Sequence, residues 1–292
     1  MVNALLIASL IMIYTFQSFF SKTYSDNYPG HPAASSWVFT IVTGLTVAVV
    51  TFAANSFHFE AQWQTILLGI GNATVLVLYD LFMIRGAIKG PYSILMVFML
   101  SGGILIPAFT DMIFGNFPSV WQWVSIALII VSLYLVSQKK GEQKIQGISF
   151  FLYCFGLFIA NGLYGSLFNI QQNLTGEPEK DEMVIVSFLL AALGSFVVLL
   201  VLRGKNFLAD FKQNKKSGAY LAVCSGIKAG AVNLLVFILP LVNVTVLYTL
   251  DNAGVLLLSV VGSFLFFKEK LSVTNIIGCA LTAIGLVGMV LL

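Results

Sequence analysis

Residues 183–203 read MVIVSFLLAALGSFVVLLVLR, a run with no charge until Arg203 closes it. A helix crossing a hydrocarbon core needs roughly 20 apolar residues, and this stretch supplies them. A barrel strand would alternate apolar and polar positions over ~10 residues, whereas this run is apolar on all faces. Without water in the bilayer, a helix satisfies its own backbone within one segment. The stretch therefore predicts a transmembrane helix, and most of the chain repeats it. Over 292 residues, hydrophobic residues make up 59% and charged residues 9%. Soluble domains carry about 25% charged residues, so this chain lacks the polar surface that water requires.

Working outward, spans are predicted at about 3–21, 37–56, 63–84, 91–114, 118–137, 147–169, 183–203, 217–239, 245–267 and 272–292. The first, ALLIASLIMIYTFQSFF (4–20), has neither a basic leader nor a small-residue cleavage site, so it reads as a span and not a removable signal. The longest connections are SKTYSDNYPGHPAASS (21–36), QQNLTGEPEKDE (171–182) and RGKNFLADFKQNKKSG (203–218). None is long enough to fold alone. The expected fold is an all-α membrane protein of ten helices in one bundle.

The net charge of +3 is spread over loops and gives no case for nucleic acid. Cys154, Cys224 and Cys279 sit singly in separate apolar runs, and His31 and His58 fall in connections. No metal or cofactor site is expected from such isolated residues. The cysteines read as small hydrophobes within the bundle.

Basic residues are distributed unevenly. Lys22, then Arg85 and Lys89, then Lys139, Lys140 and Lys144 occupy the first, third and fifth loops. Arg203, Lys205, Lys212, Lys215 and Lys216 occupy the seventh, and Lys268 and Lys270 the ninth. Of the 15 basic residues only Lys180 and Lys228 fall elsewhere. The positive-inside rule then makes the odd loops cytoplasmic and both termini external, which fits a bacterial inner membrane.

Two stretches are alike when displaced by 153 residues: IFGNFPSVWQWVSIALIIVSLYLV (113–136) and FFKEKLSVTNIIGCALTAIGLVGMV (266–290). Ser119 meets Ser272, Ala127 meets Ala280, Leu128 meets Leu281, and Asn116 falls opposite Glu269. Two halves, 1–140 and 145–292, then hold five spans each. An odd number inverts the second half, the inverted-repeat design of many secondary transporters. The segment LLLSVVGSFLFFKEKLSVTNIIGCALTAIGLVGMVLL (256–292) resembles the end of an EamA-type repeat of the drug/metabolite transporter superfamily, with Glu269, Leu271, Gly278 and Gly285 in the places of its pattern. The resemblance implies a transporter without enzymatic activity. Spans one, three, four, six, eight and nine would line its cavity, with spans five and ten peripheral.

Charges within spans are costly and usually face a cavity or a partner. Asp251 and Lys228 lie deep in spans nine and eight, and Asp80 lies near the end of span three, within reach of the interface beside Arg85. Asp251 is expected to bind a cation or proton with Lys228 neutralising it, or Lys228 to receive a substrate carboxylate. Polar and aromatic neighbours complete the expected binding set: Tyr248 and Asn252 in span nine, Asn161 and Tyr164 in span six, Tyr14 and Gln17 in span one, Asn72 and Tyr79 in span three, and Asn233 in span eight. Gly226 and Gly230 form a GxxxG spacing that predicts a close helix contact.

The function expected is secondary active transport of a small organic metabolite of the amino acid, amine or sugar class, by alternating access. Its partners would be the solute, the lipid bilayer and protons as coupling ion, with a homodimer left open. A lipid or lipid-linked carrier flippase, or a non-catalytic membrane subunit, is the alternative. No HExxH, GxGD or nucleotide-binding loop points to an enzyme or an ATPase.

Overall fold

A computed structural model describes residues 2–113, 115, 117–137, 147–175, 179–212, 215–242, 244–268 and 272–291. Asn116, Glu269, Leu271, Lys139, Lys140, Lys144 and Lys270, singled out above, lie outside the described residues.

Every regular element among the described residues is helical. In chain order they are α1 (Val2–Asn27), α2 (Ser35–Ala54), α3 (Trp63–Lys89), α4 (Tyr92–Ile113), α5 (Val120–Ser137), α6 (Gly147–Thr175) and α7 (Lys180–Arg203). There follow the single turn α8 (Phe207–Asp210), then α9 (Lys215–Ile238), α10 (Val244–Phe267) and α11 (Val273–Leu291). Eight of these helices are long and apolar enough to cross a membrane, while Val120–Val136 and Val273–Gly288 form two shorter apolar helices. The chain thus has the architecture of an all-α, multi-pass membrane protein.

Several helices outrun their apolar windows. α1 continues to Asn27 where the sequence predicts an end near residue 21. The extension is held by side chains bonded to carbonyls at the end of α3. Ser25 donates to Ile84 O at 2.7 Å, and Lys22 donates to Ala87 O. Asn27 turns back onto Thr23 O at 2.7 Å. Ala87 O, one of the last four carbonyls of α3, is thereby satisfied by a side chain from another helix. The predicted 203–218 connection is also partly helical, with the 3-10 turn Gly204–Asn206 leading into α8.

The chain divides into two compact units. The first comprises Met1–Thr15, Lys89–Ser166 and Ile238–Leu292, and the second comprises Phe16–Ile88 and Leu167–Phe237. In the first, α5 packs along α11 and α10 packs on α4 and α11. A Cβ on Gly278 would stand 3.0 Å from Ser132 O, and one on Gly285 would stand 3.1 Å from Ser125 O. Early α5 thus meets late α11, so the two run antiparallel, and glycine brings their backbones together. Ser132 and Thr282 hydroxyls join across this seam at 2.7 Å. In the second unit α2 packs along α7, with a Gly44 Cβ position 2.8 Å from Phe188 O. Its apolar core includes Tyr24, Val38, Phe39, Ile84, Leu199 and Leu221.

Cys154, Cys224 and Cys279 are buried thiols outside any disulfide among the described residues. His31 and His58 lie in connections. The GxxxG reading fails within the chain: Gly226 and Gly230 are exposed and nothing stands within 4 Å of either Cβ position. They share an outward face of α9, whereas Cys224 and Lys228 face inward.

Candidate functional site

The predicted site residues separate into two groups. Asp80, Asn72, Tyr79, Lys228, Asn233 and Gln17 belong to the second unit, and Asp251, Tyr248, Asn252, Asn161, Tyr164 and Tyr14 to the first.

In the second unit, Lys228 of α9 meets Asp80 of α3, its Nζ lying 2.9 and 3.2 Å from the two carboxylate oxygens. Both side chains are buried, at 6% and 3% exposure. The rings of Phe39 and Phe188 also flank the ammonium, with centroids at 5.4 and 5.5 Å. Asp80 is therefore paired with Lys228 and not with Arg85, whose Nη2 donates to Ala33 O at 2.9 Å. Asp80 faces α9 because it is one helical face on from Asn72, Val75 and Leu76, which are all buried. Lys228 is accordingly committed to a carboxylate of its own unit and has two aromatic faces against it. Neighbouring polar residues are engaged in helix-to-helix bonds. Asn72 Nδ2 donates to Ser187 Oγ at 3.1 Å, and Asn233 Nδ2 donates to Thr51 Oγ1 at 3.0 Å.

A second polar feature of this unit lies at a helix end. Arg203 Nε donates to Asp210 Oδ2 at 2.7 Å. The His31 backbone N–H reaches Oδ1 of the same carboxylate at 3.3 Å, and the Tyr28 hydroxyl donates to Asp210 O at 2.9 Å. Burial raises the Tyr28 phenol pKa and the nearby Asp210 carboxylate adds to that rise, while the Arg203 guanidinium opposes it. Both contacts tie the α7–α9 connection to the α1–α2 connection, which is a structural task.

The first unit holds a different arrangement. Asp251 of α10 is 8% exposed, and among the described residues its Oδ1 has no hydrogen-bond partner. The hydroxyl of Tyr248, one turn earlier, is also without one. Asn252 Nδ2 donates to Tyr248 O at 2.6 Å, and Asn161 Nδ2 of α6 donates to Met99 O of α4 at 2.8 Å. These two carboxamides come together at Gly103: a Cβ there would stand on Asn161 Nδ2 and 3.1 Å from Asn252 Oδ1. The approach is built from small residues. Gly102 lies against the Phe158 backbone, Gly162 against Ile106 and Gly102 O, and Gly254 of α10 against Ile11 of α1. Pro107 lies inside α4. It has no N–H to return to Gly103 O, so that carbonyl lacks the usual helical donor.

Buried polar atoms are normally paired, and an unpaired set usually marks a place for water, an ion or a ligand. Asp251 Oδ1 and the Tyr248 hydroxyl are such atoms, and with the Asn252 and Asn161 carboxamides and Gly103 of the same unit they form the candidate site. Asp251, Tyr248, Asn252 and Asn161 were legible as polar residues in apolar runs. Gly103, Phe39 and Phe188 were not singled out. For Gly103 a signal existed in the sequence, the SGGILIP run (101–107) with its glycine four residues before a proline. A phenylalanine beside a buried lysine leaves no such trace.

No family model and no curated protein matches the chain. A solved structure described as "Crystal structure of protein" is similar to it with a TM-score of 0.66. The similarity covers 99% of this chain and 97% of that one at 14% identity. At that identity the likeness establishes a shared fold and carries no substrate.

Proposed function

We propose that the chain is a secondary active transporter of a small organic metabolite, built as two inverted five-helix repeats of the drug/metabolite transporter type and working by alternating access. The observation that carries the reading is the buried Asp251, without a partner among the described residues, in the same unit as the carboxamides gathered at Gly103. A charge that only joined helices would have its partner, as Lys228 has Asp80. An isolated one is costly unless function requires it.

The 153-residue displacement carries α5 onto α11, and these two helices pack antiparallel against each other, as inverted copies of one terminal helix would. In this reading the odd loops are cytoplasmic, the coupling ion is the proton, and the chain has no enzymatic activity.

The test is ligand-induced thermal stabilisation of the full-length protein in detergent against amino acids, amines and sugars, with Asp251→Asn alongside. Stabilisation by a soluble compound that is lost in Asp251→Asn is the expected result. Stabilisation by lipids or lipid-linked sugars alone would replace the reading with that of a flippase.

A further inference from the structure

We infer that the solute taken at Asp251 is an organic monocation presenting a primary or secondary ammonium group. The inference rests on the transporter reading and narrows it to one charge class.

The first argument is the balance of buried charge. The buried charged residues among those described are Asp80, Lys180, Glu182, Asp210, Lys228 and Asp251. Asp80 is neutralised by Lys228, and Asp210 by Arg203. Lys180 and Glu182 share the first turn of α7. Asp251 has no hydrogen-bond or ion-pair partner among the described residues, so its ionised form offers an uncompensated negative charge to an incoming cation. Burying a carboxylate is tolerable when a counter-charge arrives with it. An anionic solute would meet repulsion there, and the ammonium that would relieve it is held by Asp80.

The second argument is the sign of the hydrogen-bonding groups. Both carboxamides direct an N–H at a backbone carbonyl, Asn161 at Met99 O and Asn252 at Tyr248 O. A carbonyl can only accept, so this fixes which end of each amide is nitrogen. The acceptors left over are the Asp251 carboxylate, Asn252 Oδ1 beside Gly103, and Gly103 O, which Pro107 cannot bond; one further N–H remains on each carboxamide. The Tyr248 hydroxyl can accept as well as donate. An ammonium group is donor only, with up to three N–H bonds to give, and the carboxylate is the acceptor that carries charge.

The experiment uses the full chain and two carbon skeletons, each in three charge states. The probes are 2-phenylethylammonium, 2-phenylethanol and 3-phenylpropanoate, and propylammonium, propanol and butyrate. Binding is read by calorimetry and by shift of the thermal midpoint. At least one ammonium should bind tenfold or more tighter than its alcohol, with the matching carboxylate inert. Asp251→Asn should remove that difference. Gly103→Ala leaves the charge untouched but presses on Asn161, and should weaken the ammonium several-fold, which keeps the idea testable if Asp251→Asn does not fold. Equal binding of alcohol and ammonium, binding of a carboxylate, binding of neither ammonium, or ammonium binding that survives both variants would overturn the inference. A neutral or anionic metabolite that stabilises the protein would overturn the charge class alone and leave transport standing. The absence of any soluble ligand would take both down.

Discussion

Replacing Lys228 by Met would leave the Asp80 carboxylate, 3% exposed, without the ammonium that now lies 2.9 Å away. Removing one partner of a buried pair costs about 3–5 kcal/mol, because the survivor stays desolvated and unpaired. At about 1.4 kcal/mol per decade, the unfolding equilibrium shifts by roughly two to three and a half orders of magnitude. The reciprocal change, Asp80→Asn, should cost less. The ammonium keeps two aromatic faces, Phe39 at 5.4 Å and Phe188 at 5.5 Å. A desolvated cation–π contact contributes about 2 kcal/mol. The double replacement Asp80→Leu with Lys228→Met removes both charges and should return to within about 1 kcal/mol of the parent. The assay is reversible unfolding in mixed micelles followed by circular dichroism, with the parent, Asp80→Leu, Lys228→Met and their double forming a double-mutant cycle and Asp80→Asn measured beside it. Single losses that simply add, or an Asp80→Asn loss exceeding that of Lys228→Met, would refute both the pairing and the role assigned to the rings.

Three further outcomes are expected. Gly102→Val must displace the Phe158 backbone and should lower stability by about 1–3 kcal/mol or more, whereas Gly71→Ala, with nothing within 4 Å, should be neutral or slightly stabilising in the same unfolding assay. Asp210→Ala removes the acceptor for Arg203 and for the His31 N–H, and should cost about 1.5–3 kcal/mol; limited proteolysis of the connections at residues 28–34 and 204–212 should accelerate with it. Cys154, Cys224 and Cys279 should all resist a membrane-impermeant maleimide until the protein is unfolded in detergent, and rapid labelling of Cys224 would contradict its burial against Ser21.

The helical, membrane-spanning character could be read from runs such as 183–203 alone, because a bilayer imposes one requirement on every residue of a span. Helix ends were less legible. α1 and α3 continue past their apolar windows because Ser25 and Lys22 bond to Ile84 and Ala87 carbonyls, contacts between residues about 60 apart in sequence. The polar candidates were also visible, since Asp251, Lys228 and Asp80 are conspicuous in apolar surroundings. Their pairing was not. Whether Lys228 turns to Asp80 depends on which faces of α3 and α9 meet, and single-sequence periodicity says little about that when helices are apolar all round. Gly103 was overlooked for a related reason: its contribution is an absent side chain, which becomes a site only when Asn161 and Asn252 arrive from other helices.

The α5–α11 seam carries a consequence for how such a chain can drift. At each crossing a glycine of α11 lies under an aliphatic side chain and a backbone carbonyl of α5, Gly278 against Val136 and Ser132 O, Gly285 against Ile129 and Ser125 O. What the packing conserves is the combined bulk at a crossing and not the identity on either side. A gain of volume on one helix can be absorbed by a loss on the other, at a position 150 or so residues away, without either helix moving. Two helices constrained only through such sums can change most of their facing residues while keeping their spacing. Substitutions made in pairs across the seam, such as Ile129→Ala with Gly285→Ala, should be better tolerated than the glycine-to-alanine change alone.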